Sequence, residues 1–283
     1  MIEIVRPPIL LSIQDGGRYG YQHWGIPISG PMDRVSAALA NAVLGNAKDA
    51  PVLEIADGPA VLQFHAPTRF ALCGARGHYF INRQFVPLLT TCAAAQGDVL
   101  LLHRFEDGRF LYLAVEGGFH YPEVLNSRSY YEALYPRWRW QRGTKIPFTP
   151  VKNTYIPRKH AYLRIPDAPW QAEEIEVTPG PEWPTLPKRL QNALRTHAFV
   201  VSPSSNRVGY RLDGLVEGVS ALPWSAPMHP GVVQLTPSGQ LIVMMRDGPT
   251  TGGYARVLIV EETALSHFAQ KRPGQPVRFR LRE

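Results

Sequence analysis

A mainly β fold with a few helices, organised as two barrel-like halves, is what this sequence predicts, and three observations carry the prediction. Its 283 residues include 27 prolines and 24 glycines, more chain-turning residues than a helical protein needs. Short apolar runs bounded by Gly, Pro or Asn recur at fairly even spacing, as in closed or partly closed β-barrels. A helical apolar period is sustained in only three stretches.

Ile2–Val5 and Ile9–Ile13 read as strands separated by Pro7-Pro8. The clearest helix follows, with Val35, Ala38, Leu39, Ala42 and Val43 on one expected apolar face. Pro31 suits its first turn, Asp33 the positive end of its dipole, and Gly45 its end. Val52–Ala56, Val61–His65, Arg69–Cys73 and Tyr79–Ile81 read as further strands. Val99–His103 and Phe110–Val115 are expected to form a hairpin around Glu106-Asp107-Gly108. From Tyr135 to about Trp170 the pattern breaks down, which marks either a linker or a surface excursion. The division expected is therefore 1–150, β-rich with one long helix, and 151–283, a second β-barrel half.

In that second half Glu174–Thr178, Phe199–Ser202, Tyr210–Leu212, Val232–Thr236, Leu241–Met245, Arg256–Val260 and Val277–Leu281 read as strands. Leu186, Leu190 and Leu194 line one face of a short helix, and Glu262–Gln270 forms another.

Composition narrows the function classes. With 45% hydrophobic and 19% charged residues, the chain is expected to be soluble and globular. MIEIVRPP lacks the basic and apolar regions of a signal peptide, and no apolar run reaches the 18 or so residues of a membrane span. Cys73 and Cys92 are widely spaced, which argues against a disulfide framework or a zinc site and suits a reducing cytoplasm. The formal net charge of +7 suits an anionic partner without choosing one.

Three loops gather chemistry-bearing side chains. Gln14-Asp15-Gly16-Gly17-Arg18 places an amide, a carboxylate and a cation in one turn; Arg18 can fork onto a carboxylate or phosphate, or simply pair with a neighbour. Asn206-Arg207-Val208-Gly209-Tyr210-Arg211 offers two arginines that share a face if the segment is extended. Asp247-Gly248-Pro249-Thr250-Thr251-Gly252-Gly253-Tyr254 joins two apolar strands and adds hydroxyls and a carboxylate that a plain hairpin does not need. It is not a Walker A loop. His23 and Trp24 lie between the turns of the opening stretch. Trp138-Arg139-Trp140-Gln141-Arg142 mixes stacking and phosphate-binding residue types, but no nucleic-acid module surrounds it, so neither nucleic acid nor membrane is expected as a partner.

Taken in order, QDGGRYGYQHWGIPISGPMDRVSAALANAVLGN, NRVGYRLDG and PGVVQLTPSGQLIVMMRDGPTTGGYARV resemble the family of 5-oxoprolinase C subunits. That family is also called the biotin-dependent carboxyltransferase-domain or allophanate hydrolase subunit 2 family, and it includes the antagonist of a sporulation-kinase inhibitor. Glu54 in VLEIADGP and the terminal AQKRPGQPVRF fit the same pattern. The chain departs from it after Ser127-Arg128-Ser129, where YYEALYPRWRWQRG replaces a glycine-rich stretch.

The resemblance implies cyclophilin-like barrel character and two partner proteins, the B-like and A-like components of a 5-oxoprolinase. It implies ATP-dependent opening of 5-oxo-L-proline to L-glutamate, with ATP and Mg on this chain or on its partner. The alternatives are carboxyl transfer to urea or a related small amide from biotin on a carrier protein, or a non-catalytic regulatory subunit. On the enzymatic reading Arg18, Arg207 and Arg211 bind the anionic group, and Asp15 orients Arg18. Asp247 acts as base or metal ligand, while Thr250, Thr251 and the Gly252 and Gly253 amides hold the oxyanion. Gln14, Asn206, Tyr210 and Tyr254 complete the substrate contacts. The three loops are expected to meet in one cationic cleft.

Overall fold

The computed structural model describes residues 1–135, 140–152, 154 and 173–282. The chain divides into two compact units, Met1–Arg18 with Ser29–Pro166, and Tyr19–Ile28 with Asp167–Glu283. The second unit thus takes in Tyr19–Ile28, an exchange that a division in chain order does not contain. Most of the stretch from 135 to 170, including Trp138 and Arg139, lies outside the described residues.

Among the described residues the first unit is a nine-stranded sheet with one α-helix. Its strands are β1 (Ile2–Arg6), β2 (Leu10–Gln14), β3 (Val52–Ala56), β4 (Ala60–Phe64), β5 (Thr68–Ile81), β6 (Gln84–Phe85), β7 (Cys92–Ala94), β8 (Val99–Val115) and β9 (Lys145–Ile146). The main path runs β2-β3-β8-β4-β1-β9, and β5 pairs with β6, β7 and β8. Alternation on β4, where Ala60, Leu62 and Phe64 are buried, directs one face into a core shared with Ile2, Ile4 and Leu100. That is the period of two expected of a half-buried strand.

Two expectations fail in this sheet. Val99–His103 and Phe110–Val115 do not form a hairpin: β8 runs unbroken for 17 residues. Likewise Arg69–Cys73 and Tyr79–Ile81 belong to one strand, the 14-residue β5. The two pair antiparallel along their length, with register shifts between Gly74 and Tyr79 opposite Phe105, Asp107 and Leu111. Bulges absorb the Asp107-Gly108 kink that reads as a turn in isolation. Gly108 takes φ 77, a backbone angle that suits glycine.

Helix α1 spans Arg34–Leu44. Asp33 is its N-cap, accepting from Ser36 N at 2.9 Å and Ser36 Oγ at 2.5 Å, so Pro31 lies ahead of the cap and not in the first turn. Gly45, φ 72, ends the helix in the left-handed region. The buried face is Ser36, Ala37, Ala40 and Asn41, not the expected stripe of Val35, Ala38, Leu39, Ala42 and Val43. Small side chains let α1 lie close against β5 and β8, which wins over the larger but only half-covered aliphatics. Asp33→Ala is expected to cost about 1–2 kcal/mol of stability through the lost cap. Chemical denaturation of the purified chain measures it; a change below a few tenths contradicts the capping role.

The second unit is a closed seven-stranded barrel in the order β10-β17-β14-β15-β12-β11-β18. The strands are β10 (Glu174–Pro179), β11 (Phe199–Val201), β12 (Gly209–Asp213), β14 (Val232–Leu235), β15 (Leu241–Met244), β17 (Ala255–Val260) and β18 (Pro276–Leu281). Each falls within a residue or two of its sequence-predicted place. Two-residue strands β13 (Ala226–Pro227) and β16 (Thr251–Gly252) make a separate antiparallel pair. Helix α2 (Lys188–Thr196) buries Leu190 and Leu194 and packs near β18, and α3 (Glu262–Ala269) packs near β10. Among the described residues no helix is long and apolar enough to cross a membrane. Both cysteines are free. Burial pushes the Cys73 thiol up to about 12 and the Cys92 thiol to about 11, so neither offers much thiolate at neutral pH.

Candidate functional site

In the first unit the opening turn is a framework of buried polar groups. Gln14, 0% exposed, accepts from Gly30 N at 3.1 Å and donates to Ser12 Oγ and Tyr130 O. Asp15 receives four hydrogen bonds: from Gly17 N at 3.0 Å, Ser127 Oγ at 2.6 Å, Arg128 N at 2.5 Å and Ser129 Oγ at 2.7 Å. Arg18, also fully buried, donates from Nε to Val124 O at 3.0 Å and from Nη2 to Ser129 O at 2.8 Å. The sequence reading has Asp15 orienting Arg18. The hydrogen bonds instead tie each of them to the 124–129 loop, which is therefore their common support. Ser127 and Ser129, which the sequence marks only as a family-like element, complete the shell of Asp15.

A second buried network centres on Glu54 and Tyr112. Glu54 Oε2 accepts from Met32 N at 2.7 Å and from Tyr112 Oη at 2.8 Å, and Tyr112 Oη in turn accepts from Asp33 N at 2.8 Å. Burial first, then the charge of Glu54, holds the Tyr112 phenol well above its ordinary range, so it stays a donor. Gln14, Glu54 and Tyr112 together fix the amides of Gly30, Met32 and Asp33. This lets the backbone hold Ser29 at φ 57, an uncommon angle for a residue with a side chain. The only signal for this in the sequence is polar residues at Glu54 and Tyr112 on otherwise apolar strands.

In the second unit the 206–211 and 247–254 loops come together, while the Gln14–Arg18 loop belongs to the first unit. Arg207 and Asp247 form a two-pronged ion pair, Nε to Oδ2 at 2.7 Å and Nη2 to Oδ1 at 3.1 Å, with side chains 18% and 12% exposed. Asp247 N donates to Arg207 O at 2.9 Å and Met245 N to Val208 O at 3.1 Å, which zips the loops together. Asn206 Oδ1 accepts from Val208 N and Gly209 N, a local Asx-type turn. Arg246, one residue before Asp247 and 1% exposed, donates from Nη1 to Glu262 Oε2 at 2.9 Å and from Nη2 to Glu262 Oε1, anchoring this loop to the start of α3.

Thr250 O accepts from Met228 N at 2.8 Å and Gly253 O from Leu222 N at 2.7 Å, so the 221–228 segment braces the threonine–glycine loop. A side chain at Gly252 would meet Gln234 Nε2 at 2.8 Å, whereas the space beside Gly253 is open. Thr251 and Tyr254 are exposed and Thr250 is half-buried. Arg211 points outward to Gln240 Oε1 at 3.0 Å. Tyr210 faces the barrel core at 0% exposure, its hydroxyl donating to Ala269 O at 2.8 Å; it acts on the loop only through the strand it anchors.

The arrangement offers a carboxylate locked onto a guanidinium, followed in the chain by two threonines and an uncrowded Gly253. Such a fork positions charge and donors rather than a free carboxylate. It does not suit Asp247 as a metal ligand, because both oxygens already face a cation. Among the described residues no group of three or more His, Cys, Asp or Glu side chains is placed to hold a metal ion.

A closed barrel and a bulged sheet, with this loop pair on the barrel, define a recognised class. Residues 24–281 match the carboxyltransferase domain, subdomain A and B, and the chain belongs to that family. It is 33% identical to the 5-oxoprolinase C subunit of Escherichia coli (strain K12), covering 99% of this chain and 90% of that one. The crystal structure of TTHA0988 superposes with a TM-score of 0.86 at 29% identity, covering 99% of this chain and 55% of that one. The Kluyveromyces lactis urea amidolyase gives 0.84 at 27% identity, covering 98% of this chain and 18% of that one. The chain thus spans about half of TTHA0988 and a smaller part of the amidolyase.

Proposed function

We propose that this chain is the C subunit of a cytoplasmic, ATP-dependent 5-oxoprolinase, acting with B-like and A-like partner proteins to open 5-oxo-L-proline to L-glutamate. The observation that carries the reading is the similarity to the Escherichia coli 5-oxoprolinase C subunit over nearly the whole of both chains. The Arg207–Asp247 loop pair supplies chemistry that fits it. A lactam carbonyl is a poor electrophile, so its oxygen must take up positive charge or a phosphoryl group before water can attack. Fixed donors aimed at developing negative charge are the main means a protein has to help. On this reading Thr250, Thr251 and the Gly253 amide supply such donors, and Asp247 holds Arg207 in one orientation. Nucleotide and Mg, on the same reading, belong to the assembled enzyme, on this chain or on its partner.

A second reading, carboxyl transfer from a biotin carrier to urea or a related amide, is favoured by the likeness to urea amidolyase. The co-purified three-protein assembly separates the two. Phosphate release from ATP is expected only when 5-oxoproline is added, with urea inert. Consumption of a carboxybiotinyl carrier, with no response to 5-oxoproline, overturns the proposal in favour of the second reading. Activity in neither assay, while the assembly regulates a partner, points to a non-catalytic role.

A further inference from the structure

The first unit's sheet carries a feature that the reaction above does not use. Where β5 pairs with β8, side chains alternate between its two faces. Tyr79, Ile81, Leu100 and Leu102 are buried in the core, whereas Phe80, Val99 and Leu101 are only half-buried on the other face. Register sets the second group side by side: Phe80 pairs with Leu101, and Leu101 with half-buried Val61 of β4. Phe85, 59% exposed, extends the row with its ring 6.1 Å from that of Phe80. The outer face of an antiparallel sheet is ordinarily polar, so this apolar row calls for a reason.

The row is not flat. Phe80, Asn82, Arg83, Val99 and Leu101 line a cavity of about 400 Å³, a size typical of small-ligand pockets. Asn82 is already engaged: Nδ2 donates to Asp98 Oδ1 at 2.6 Å, and Oδ1 accepts from Val99 N at 3.0 Å. Asp98 Oδ2 in turn accepts from Ala95 N at 2.7 Å. Arg83 is exposed and has no ion pair, hydrogen bond or ring contact among the described residues.

The backbone at Arg83 sharpens the question. Asn82 and Arg83 are the central residues of the β5–β6 hairpin, between the paired Ile81 and Gln84, with φ 45 and φ 70. Such a turn favours Asn first and Gly second, and a left-handed arginine carries a backbone cost. Glycine would serve the turn better. A cation without a partner, on a strained residue that lines an apolar cavity, is accounted for by a ligand that needs it.

We propose that this cavity binds a small molecule with an apolar body and one anionic head, of which a medium-chain carboxylate is the simplest. Phe80, Val99 and Leu101 receive the chain, and Arg83 pairs with the head. The site lies within the first unit and does not rest on the 5-oxoprolinase reading.

The test is methyl NMR of the purified full chain, titrated with octanoate, 1-octanol or butyrate. Octanoate is expected to shift the Val99 and Leu101 methyl signals saturably, with a Kd of about 1 mM. The same chain without charge, in 1-octanol, is expected to bind about fivefold more weakly, as the loss of one exposed ion pair implies. Butyrate, which keeps the head and loses most of the chain, is expected to bind at least tenfold more weakly, roughly in line with its lost apolar contact. Arg83→Gly suits the turn and is expected to fold at least as stably as wild type. It should bind octanoate about fivefold more weakly and leave 1-octanol binding unchanged. The 1-octanol comparison tests the charge without any variant. Octanoate that leaves the Val99 and Leu101 methyls unmoved overturns the proposal. So does 1-octanol or butyrate binding as tightly as octanoate, or an octanoate affinity unaltered in Arg83→Gly.

Discussion

Asp15→Ala is expected to destabilise the first unit by about 3 kcal/mol, because four donors lose their acceptor at once. Two are serine hydroxyls that can rotate to other partners, but the Gly17 and Arg128 amides cannot. Asp15→Asn is the sharper variant. It keeps the shape and one acceptor oxygen, yet turns an NH2 group toward either Arg128 N or Gly17 N, so donor faces donor. We expect it to recover less than half of the loss, and an asparagine as stable as wild type would contradict the hydrogen-bond account. Chemical denaturation at neutral pH measures both. The 124–129 loop that Asp15 organises also supplies the carbonyls gripped by Arg18. Its loosening should therefore appear as faster amide exchange at residues 124–130 before global unfolding.

The second large effect is at the Arg207–Asp247 fork. Removing one partner abolishes both hydrogen bonds of a largely buried ion pair, so each single alanine variant is expected to cost about 2 kcal/mol. The double variant should cost little more than either single one, giving a coupling energy of about 1–3 kcal/mol. In the assembled enzyme the same substitutions are expected to lower turnover by about a hundredfold, the scale seen when a preorganised donor is removed. Arg207→Lys tests the geometry: it keeps the charge but cannot form two parallel hydrogen bonds. Lysine that restores full turnover would mean that charge alone matters and that the fork does not.

The sequence and the structure agree wherever one local rule decides. Most barrel strands were legible because their apolar runs are closed by Gly or Pro, and α2 because Leu190 and Leu194 repeat with a helical period, although Leu186 of the same row lies ahead of the helix. Disagreement appears where two local signals compete with a long-range one. The Asp107-Gly108 pair reads as a turn, yet β5 offers a partner along the whole of β8 and bulges absorb the kink. The aliphatic stripe of α1 reads as the buried face, yet close approach to the sheet favours Ala37 and Ala40.

The candidate site was legible in part for the same reason. Arg207 and Asp247 were visible as residue types suited to anions and proton transfer, but not as partners of each other. Forty positions separate them, and only the pairing of β12 with β15 brings their loops together. Arg18 and Tyr210 carry functional-looking groups, and folding places both fully inside. Glu54 and Tyr112 stand out only as polar residues on strands that read as core, which gives no local sign of their bonds to Met32 and Asp33.

The most direct measurement is product stoichiometry in the three-protein assembly. With wild-type chain, each ATP hydrolysed should yield one glutamate from 5-oxoproline, and Asp247→Asn should lose both products together while the assembly stays intact by size-exclusion chromatography. Glutamate formation at the wild-type rate with Asp247→Asn, or ATP hydrolysis indifferent to 5-oxoproline, would contradict a role for the Arg207–Asp247 loops in lactam opening.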